Sequence, residues 1–355
     1  MSKKTGGFLR TLAVLCSAIL LFEAGAITPF AEETPGLSFA EEAETGSTSK
    51  IQEEEEVIAY LLGEDTGRRD ESVKQFRRSD GSMVAALYDE PVHYEVDGEW
   101  KEIDNTLVPS ENRGGIAYMK NRSNDFTVWL PENMSVGRTV EVGYRGRTLR
   151  IALEQTAQTR SAAPQVEGVL RQPETDGGAR LRELQASFRE TTGLDKTPEA
   201  VKECSALSVT ANALSPAAAD EARNLAREIE TEITGVKTIS AGVTYADLQP
   251  GVDLAYDIQG KSLKESLVLH EGPGAASYSF VLDGGGLTGT LNEDQSVTFC
   301  DADGTEFFQI AAPYMWDAAN ETSYAVDVEL QETTGGYLYT ITPDADWLTA
   351  AERVY

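Results

Sequence analysis

The chain is poor in the residues that most often carry catalysis or hold metal. Among 355 residues it has two histidines, three cysteines and four tryptophans. His93 and His270 stand far apart, each without a second histidine nearby, so the local spacings that build zinc sites are missing. The G-x-S-x-G nucleophile elbow is absent, and Ser262-Leu263-Lys264 does not give the S-x-x-K spacing. Positive charge is scarce as well: 30 Lys and Arg face 59 Asp and Glu, a net charge of −29 at pH 7. A surface of that sign repels phosphate backbones, so no nucleic-acid partner is expected. So few cysteines rule out a small disulfide scaffold, and whether Cys204 and Cys300 pair is left open.

Long apolar runs are missing too, except one. Residues 11–22 are uncharged and mostly apolar, follow Lys3, Lys4 and Arg10, and lead to Ala24-Gly25-Ala26. This is the pattern of a secretory signal peptide over residues 1–26, and the run is too short to cross a bilayer as a helix. The expectation is a secreted protein, extracellular or cell-wall-associated, with no membrane contact after signal cleavage. Residues 27–70 read as an acidic flexible leader rich in Glu, Ala, Thr and Ser, with a short helix over residues 51–62.

What is abundant is alternation. In EPVHYEVDGEWKEIDNTL (residues 90–107), Val92, Tyr94 and Val96 alternate with His93 and Glu95. Asp97-Gly98 then supplies a two-residue turn that accepts positive φ. By that alternation His93 falls on the wet face of its strand. Further period-two segments fill residues 71–154, the first β region, and resume over residues 236–355, the second. Between them, residues 155–235 read as a helical or partly disordered insertion: Leu181, Leu184 and Phe188 have helical spacing, and Ser215-Pro216 is a cap followed by a first-turn proline. The fold class expected is mainly β, an antiparallel β-sandwich or open barrel in two β regions with a helical linker between them.

Motif by motif, turns account for the remaining candidates. Gly284 to Gly289 lacks the lysine of a phosphate loop and runs into a strand. Asp301-Ala302-Asp303-Gly304 has part of a calcium loop but not its terminal bidentate Glu. His270 sits at a strand end before Gly272-Pro273-Gly274. No catalytic, cofactor-binding or metal residue is assigned, and no cofactor is expected. Trp100, Trp129, Trp316 and Tyr118 are the rings that a carbohydrate-binding module would use as stacking platforms. A glycoside hydrolase would need two carboxylates that the sequence does not single out.

Two stretches carry a resemblance. FRRSDGSMVAALYDEPVHYEVDGEWKEIDNTL, from Phe76, resembles the opening module of large secreted bacterial proteins with DNRLRE domains and RHS/YD repeats, the wall-associated group. VTYADLQPGVDLAYDIQGKSLKESLVL, from Val243, is similar to their Pro-Gly-Val-Asp-Leu and Leu-Lys-Glu signature, and APYMWDA follows in order. The resemblance covers roughly residues 70–155 and 236–355. It implies a non-catalytic structural or display module at the cell envelope, not an enzyme, whose partners are cell-wall glycan or downstream modules of the same polypeptide.

Overall fold

The computed structural model describes residues 12–21, 56–134, 138–154, 166–172, 178–194, 209–270 and 277–350. The protein is mainly β with antiparallel pairing, as the alternation requires. Two large open sheets share one apolar core. The eight-stranded sheet runs Val326–Thr333, Gly336–Pro343, Tyr278–Asp283, Arg147–Leu153, Val140–Tyr144, Phe126–Pro131, Tyr118–Ser123, Asp104–Pro109. The eleven-stranded sheet runs Asn133–Met134, Val166–Arg171, Ser240–Gln249, Val252–Gln259, Ser262–Leu269, Leu12–Leu21, Glu306–Ile310, Val297–Cys300, Thr288–Leu291, with Tyr314–Trp316 and Thr322–Ser323 branching from Leu12–Leu21.

Several strands bury alternate residues. Phe126, Val128 and Leu130 turn inward from one sheet, and Val252, Leu254, Tyr256 and Ile258 from the other. Burying a large aliphatic or aromatic side chain stabilises the fold by about 1.5–3 kcal/mol, so the interleaving of these rows fixes the register of both sheets. The two β regions do not form separate bodies. Arg147–Leu153 from the first pairs with Tyr278–Asp283 from the second, and Arg150 Nη1 meets Asp283 Oδ2 at 3.0 Å across that seam.

Three departures from the sequence reading have physical causes. The described part of the expected helix at residues 51–62 is extended, as Val57–Ile58 and Leu61–Glu64. Ile58 and Tyr60 are buried while Val57 is exposed, a period of two that the crowding of Val57, Ile58, Leu61 and Leu62 masked. Within the insertion, helices Ala179–Thr192 and Pro216–Thr234 form as expected, and Ser215 Oγ accepts from the Ala218 amide at 3.3 Å. These helices bury Leu184, Phe188, Ala222, Leu225 and Ile229 against Ile58 and Tyr60, a second core that ties residues 56–64 down. The stretch 166–171, read as disordered or helical, is instead a strand paired on both edges. Finally, Leu12–Leu21, the apolar part of the expected signal peptide, is a strand inside the larger sheet. Thr197-Pro198, a second cap-and-proline pair in the sequence of the insertion, and Cys204 lie outside the described residues.

Candidate functional site

A group of ionisable side chains lies where the small sheet of Leu61–Glu64, Val73–Arg78 and Met83–Leu87 meets the hairpin His93–Val96 and Glu99–Glu102. His93 is at its centre with none of its surface exposed, so the expectation of a wet histidine is corrected. Alternation places it opposite Tyr94, but the face away from Tyr94 is covered by the small sheet rather than by water. Its Nδ1 is 2.6 Å from the carbonyl oxygen of Asp70, which fixes Nδ1–H as the donor. Its Nε2 has no hydrogen-bond partner and lies 3.5 Å from Glu64 Oε1. Glu64 accepts from Arg69 through both oxygens, Nε at 2.6 Å and Nη2 at 2.8 Å. The buried Lys74 pairs with Glu102 beside them.

The electrostatics follow from this crowding. Burial lowers the His93 pKa, the Asp70 carbonyl raises it, and Arg69 and Lys74 lower it further, so the ring is neutral. Burial pushes the Glu64 carboxyl up, but the Arg69 hydrogen bonds and charge, with Lys74 and His93, outweigh it and hold the pKa below its ordinary value. The Tyr88 hydroxyl donates to the Thr234 carbonyl at 2.6 Å, and its pKa is pushed up to about 12 by burial and then by Glu64 and Glu102. The cluster holds a proton-accepting nitrogen beside a carboxylate, but that nitrogen is sealed from solvent.

An open feature lies elsewhere in the fold. A cleft of about 330 Å³ opens between the two large sheets, floored by Met119, Leu130 and Val243 and rimmed by Glu132, Asn133 and Glu167. Asn133 Oδ1 is buried there without a hydrogen-bond partner. Gly168 also lines the cleft, and a Cβ at that position would meet Val243 Cγ2 at 2.6 Å and Tyr245 Cε1 at 2.9 Å. Two carboxylates and an unpaired amide oxygen over an apolar floor suit a small ligand with a positive or hydrogen-bond-donating head. Sequence reasoning missed this cleft, since its rim comes from two strands, Asn133–Met134 and Val166–Arg171, that carry almost no alternation.

The sequence-derived candidates scatter. His270 Nε2 meets Asp253 Oδ2 at 2.8 Å beside the turn that ends its strand. Asp301 Oδ1 accepts from the amides of Asp303 and Thr305, both at 3.0 Å, as a β-turn does. Tyr118 is buried, with its hydroxyl on the Thr139 carbonyl. Trp129 lies under the Arg113 guanidinium, 4.2 Å from its centroid. Trp316 stacks near Tyr314 at 5.3 Å and 30°, with Lys264 Nζ 4.4 Å from its ring. Tyr324 extends this group and is 77% exposed. No group of three or more His, Cys, Asp or Glu residues among the described residues converges as a metal site. No helix among them is long and apolar enough to cross a membrane.

Comparison with known proteins gives one consistent likeness. The chain is 34% identical over 126 residues to the tRNA(Glu)-specific nuclease WapA of Bacillus subtilis subsp. natto and to the tRNA nuclease WapA of Bacillus subtilis strain 168. It is 33% identical over 126 residues to the tRNA3(Ser)-specific nuclease WapA of Bacillus spizizenii. The matched stretch is 34% of this chain and 5% of each relative, so the chain spans a small part of the proteins it matches. No family model matches, and no solved structure matches.

These names correct three expectations. The readings of a non-catalytic module, of a protein that is not an enzyme, and of one without a nucleic-acid partner are overturned by relatives that are named tRNA nucleases. The physical reason is one of scope. Net charge reports on what an acidic surface attracts without specificity, and it does not fix what a specific site on the same molecule binds.

Proposed function

We propose that this chain works within a secreted WapA-type tRNA nuclease of the DNRLRE-domain and RHS-repeat group. The observation that carries the reading is the 34% identity over 126 residues to WapA nucleases. The basic start, the apolar run at residues 11–22 and Ala24-Gly25-Ala26 support export, and with it a place outside the cell or on its surface. Under this reading, the substrate is tRNA. The cutting residues are not the His93 cluster, because a base that receives a proton from a polynucleotide must come within hydrogen-bond reach of it, and His93 has no exposed surface.

The reading is tested by incubating tRNA with secreted and surface fractions of cells that carry or lack the gene, with cleavage followed on denaturing gels. Loss of cleavage with the gene is the expected result. Equal cleavage from both cultures would overturn it. The purified chain in the same assay separates cutting by these 355 residues from cutting elsewhere in a larger polypeptide.

A further inference from the structure

Leu12–Leu21 sits between two lips of the larger sheet that do not pair with one another. On one edge it runs antiparallel to Ser262–Leu269, from Leu12 opposite Leu269 to Leu20 opposite Ser262. On the other edge Val14 to Cys16 oppose Trp316 to Tyr314, and Ile19 to Leu21 oppose Ile310 to Phe308. Ser262–Leu269 has Val252–Gln259 as its only other strand partner among the described residues, and Glu306–Ile310 has Val297–Cys300. The gap between the lips is therefore one strand wide, roughly 10 Å from two inter-strand spacings.

The lips belong to the core. Leu263, Leu267 and Leu269 from one side, and Phe308, Ile310 and Met315 from the other, are 0–4% exposed with the strand in place. Over the outer face, Lys264 reaches across to the Trp316 ring, from one lip to the other. Yet the segment that fills the gap is the run expected to be removed as part of the export signal. Those two uses exclude each other in the processed protein. Once the run is gone, two sheet edges with unpaired amides and carbonyls stand open over apolar side chains, a combination that captures an extended peptide.

We propose that this gap is an acceptor slot, and that in the processed protein it takes an extended, uncharged, apolar strand of about ten residues from a partner polypeptide, antiparallel to Ser262–Leu269. The proposal rests on the reading of residues 1–26 as an export signal and is independent of the nuclease reading. The occupant's chemistry is set by the slot: backbone ladders on both edges require an extended strand without proline, and the row beneath, Leu263, Leu267 and Leu269 with the buried carboxyl of Glu265 opposite Ser17, favours an uncharged one. Leu12–Leu21 meets both conditions and marks the place.

The test uses the chain as cells export and process it, together with a synthetic peptide of residues 12–21 carrying terminal lysines for solubility. The expected result is binding at one peptide per chain, a rise in Tm, and slower amide exchange in Ser262–Leu269 and Glu306–Ile310. The same peptide with Ser17→Pro and Ile19→Pro should bind at least about tenfold more weakly, since proline cannot donate to the ladder. The unprocessed chain, its slot filled, should bind about tenfold more weakly too. If the processed chain folds only when the peptide is added, the slot is likewise supported. Equal binding of the proline peptide would overturn the proposal. So would full amide protection of both lips in the processed chain without peptide, or its failure to fold with peptide present.

Discussion

Glu64 Oε1 faces the buried Nε2 of His93 at 3.5 Å, while Arg69 holds both Glu64 oxygens. The neutral ring donates from Nδ1 to Asp70, so a lone pair points at a carboxylate. Protonation would turn that opposition into an ion pair, but burial and the neighbouring cations keep the His93 pKa below its ordinary 6.5. In the unfolded chain the ring regains that ordinary value and binds protons more readily. Stability from the neutral ring is therefore complete above about pH 6.5 and declines as pH falls below it. His93→Ala should cost roughly 2–4 kcal/mol near neutrality through the cavity and the stranded Asp70 carbonyl. It should also flatten the pH dependence between 5 and 7. Urea melts at both pH values check this; a variant with the parent's pH slope would place the titrating group elsewhere.

Asn105 joins the two β regions through its side chain. Its Nδ2 donates to the carbonyls of Ile239 at 2.8 Å and Gly260 at 3.0 Å, and its Oδ1 accepts from Asn121 and Asn124. With no surface exposed, Asn105 has no water to substitute for these partners. Asn105→Ala should destabilise by about 2–4 kcal/mol, and Asn105→Asp by more at pH 7, because a carboxylate would then face two carbonyl oxygens. Calorimetry of both variants decides. Equal, small shifts in Tm would mean that the network is slack.

Glu265 is a carboxyl group inside the core, opposite Tyr256 across the Val252–Gln259 and Ser262–Leu269 pair. Tyr256 hydrogen-bonds it, and its Oε2 has no hydrogen-bond partner among the described residues. Burial pushes its pKa up to about 7, from its ordinary 4.5. The native state then holds a proton that the unfolded state releases. Its contribution is complete below about pH 4.5 and is lost as pH rises through about 7. Glu265→Gln stays neutral, so it should gain on the parent by an amount on the order of 3 kcal/mol at pH 8 and match it near pH 4.5. Denaturant midpoints across that range give the answer, and a constant difference at all pH values would contradict it.

Leu254 lies in the row of Val252, Tyr256 and Ile258, and is 1% exposed. Leu254→Ala should cost roughly 2–5 kcal/mol. A shift within about 0.5 kcal/mol in chemical denaturation would mean that the row does not face the core.

The fold was legible wherever one face of a strand is buried and the other is wet. In Phe126–Pro131 the buried Phe126, Val128 and Leu130 alternate with the partly exposed Thr127 and Trp129, and Asp97-Gly98 marks the turn of its hairpin. Legibility failed where pairing lacks alternation. In Val166–Arg171 most side chains are exposed on both faces, and the strand is held by backbone bonds and by the close approach at Gly168. The cleft shared that invisibility, since its rim depends on such strands. His93 was misjudged for another reason: local alternation gives the side of a hairpin on which a residue lies, whereas a sheet from residues 61–87 covers that side.

The turn at Asp97 and Gly98 offers a test confined to backbone conformation. Both residues have positive φ, 54° and 80°, the pair of left-handed conformations that lets a two-residue loop follow the twist of its strands. A Cβ at Gly98 would meet nothing within 4 Å, so packing does not oppose a larger residue there. The cost of Gly98→Val is then conformational, about 1–2 kcal/mol for a β-branched residue forced into the left-handed region. Gly98→Asn should be tolerated far better, because asparagine adopts that region readily. The hairpin also carries Glu102, the partner of Lys74, so loosening it should quicken proteolysis at the turn. Equal melting temperatures and equal cleavage rates for the Val and Asn variants would show that the turn is not held in this geometry in solution.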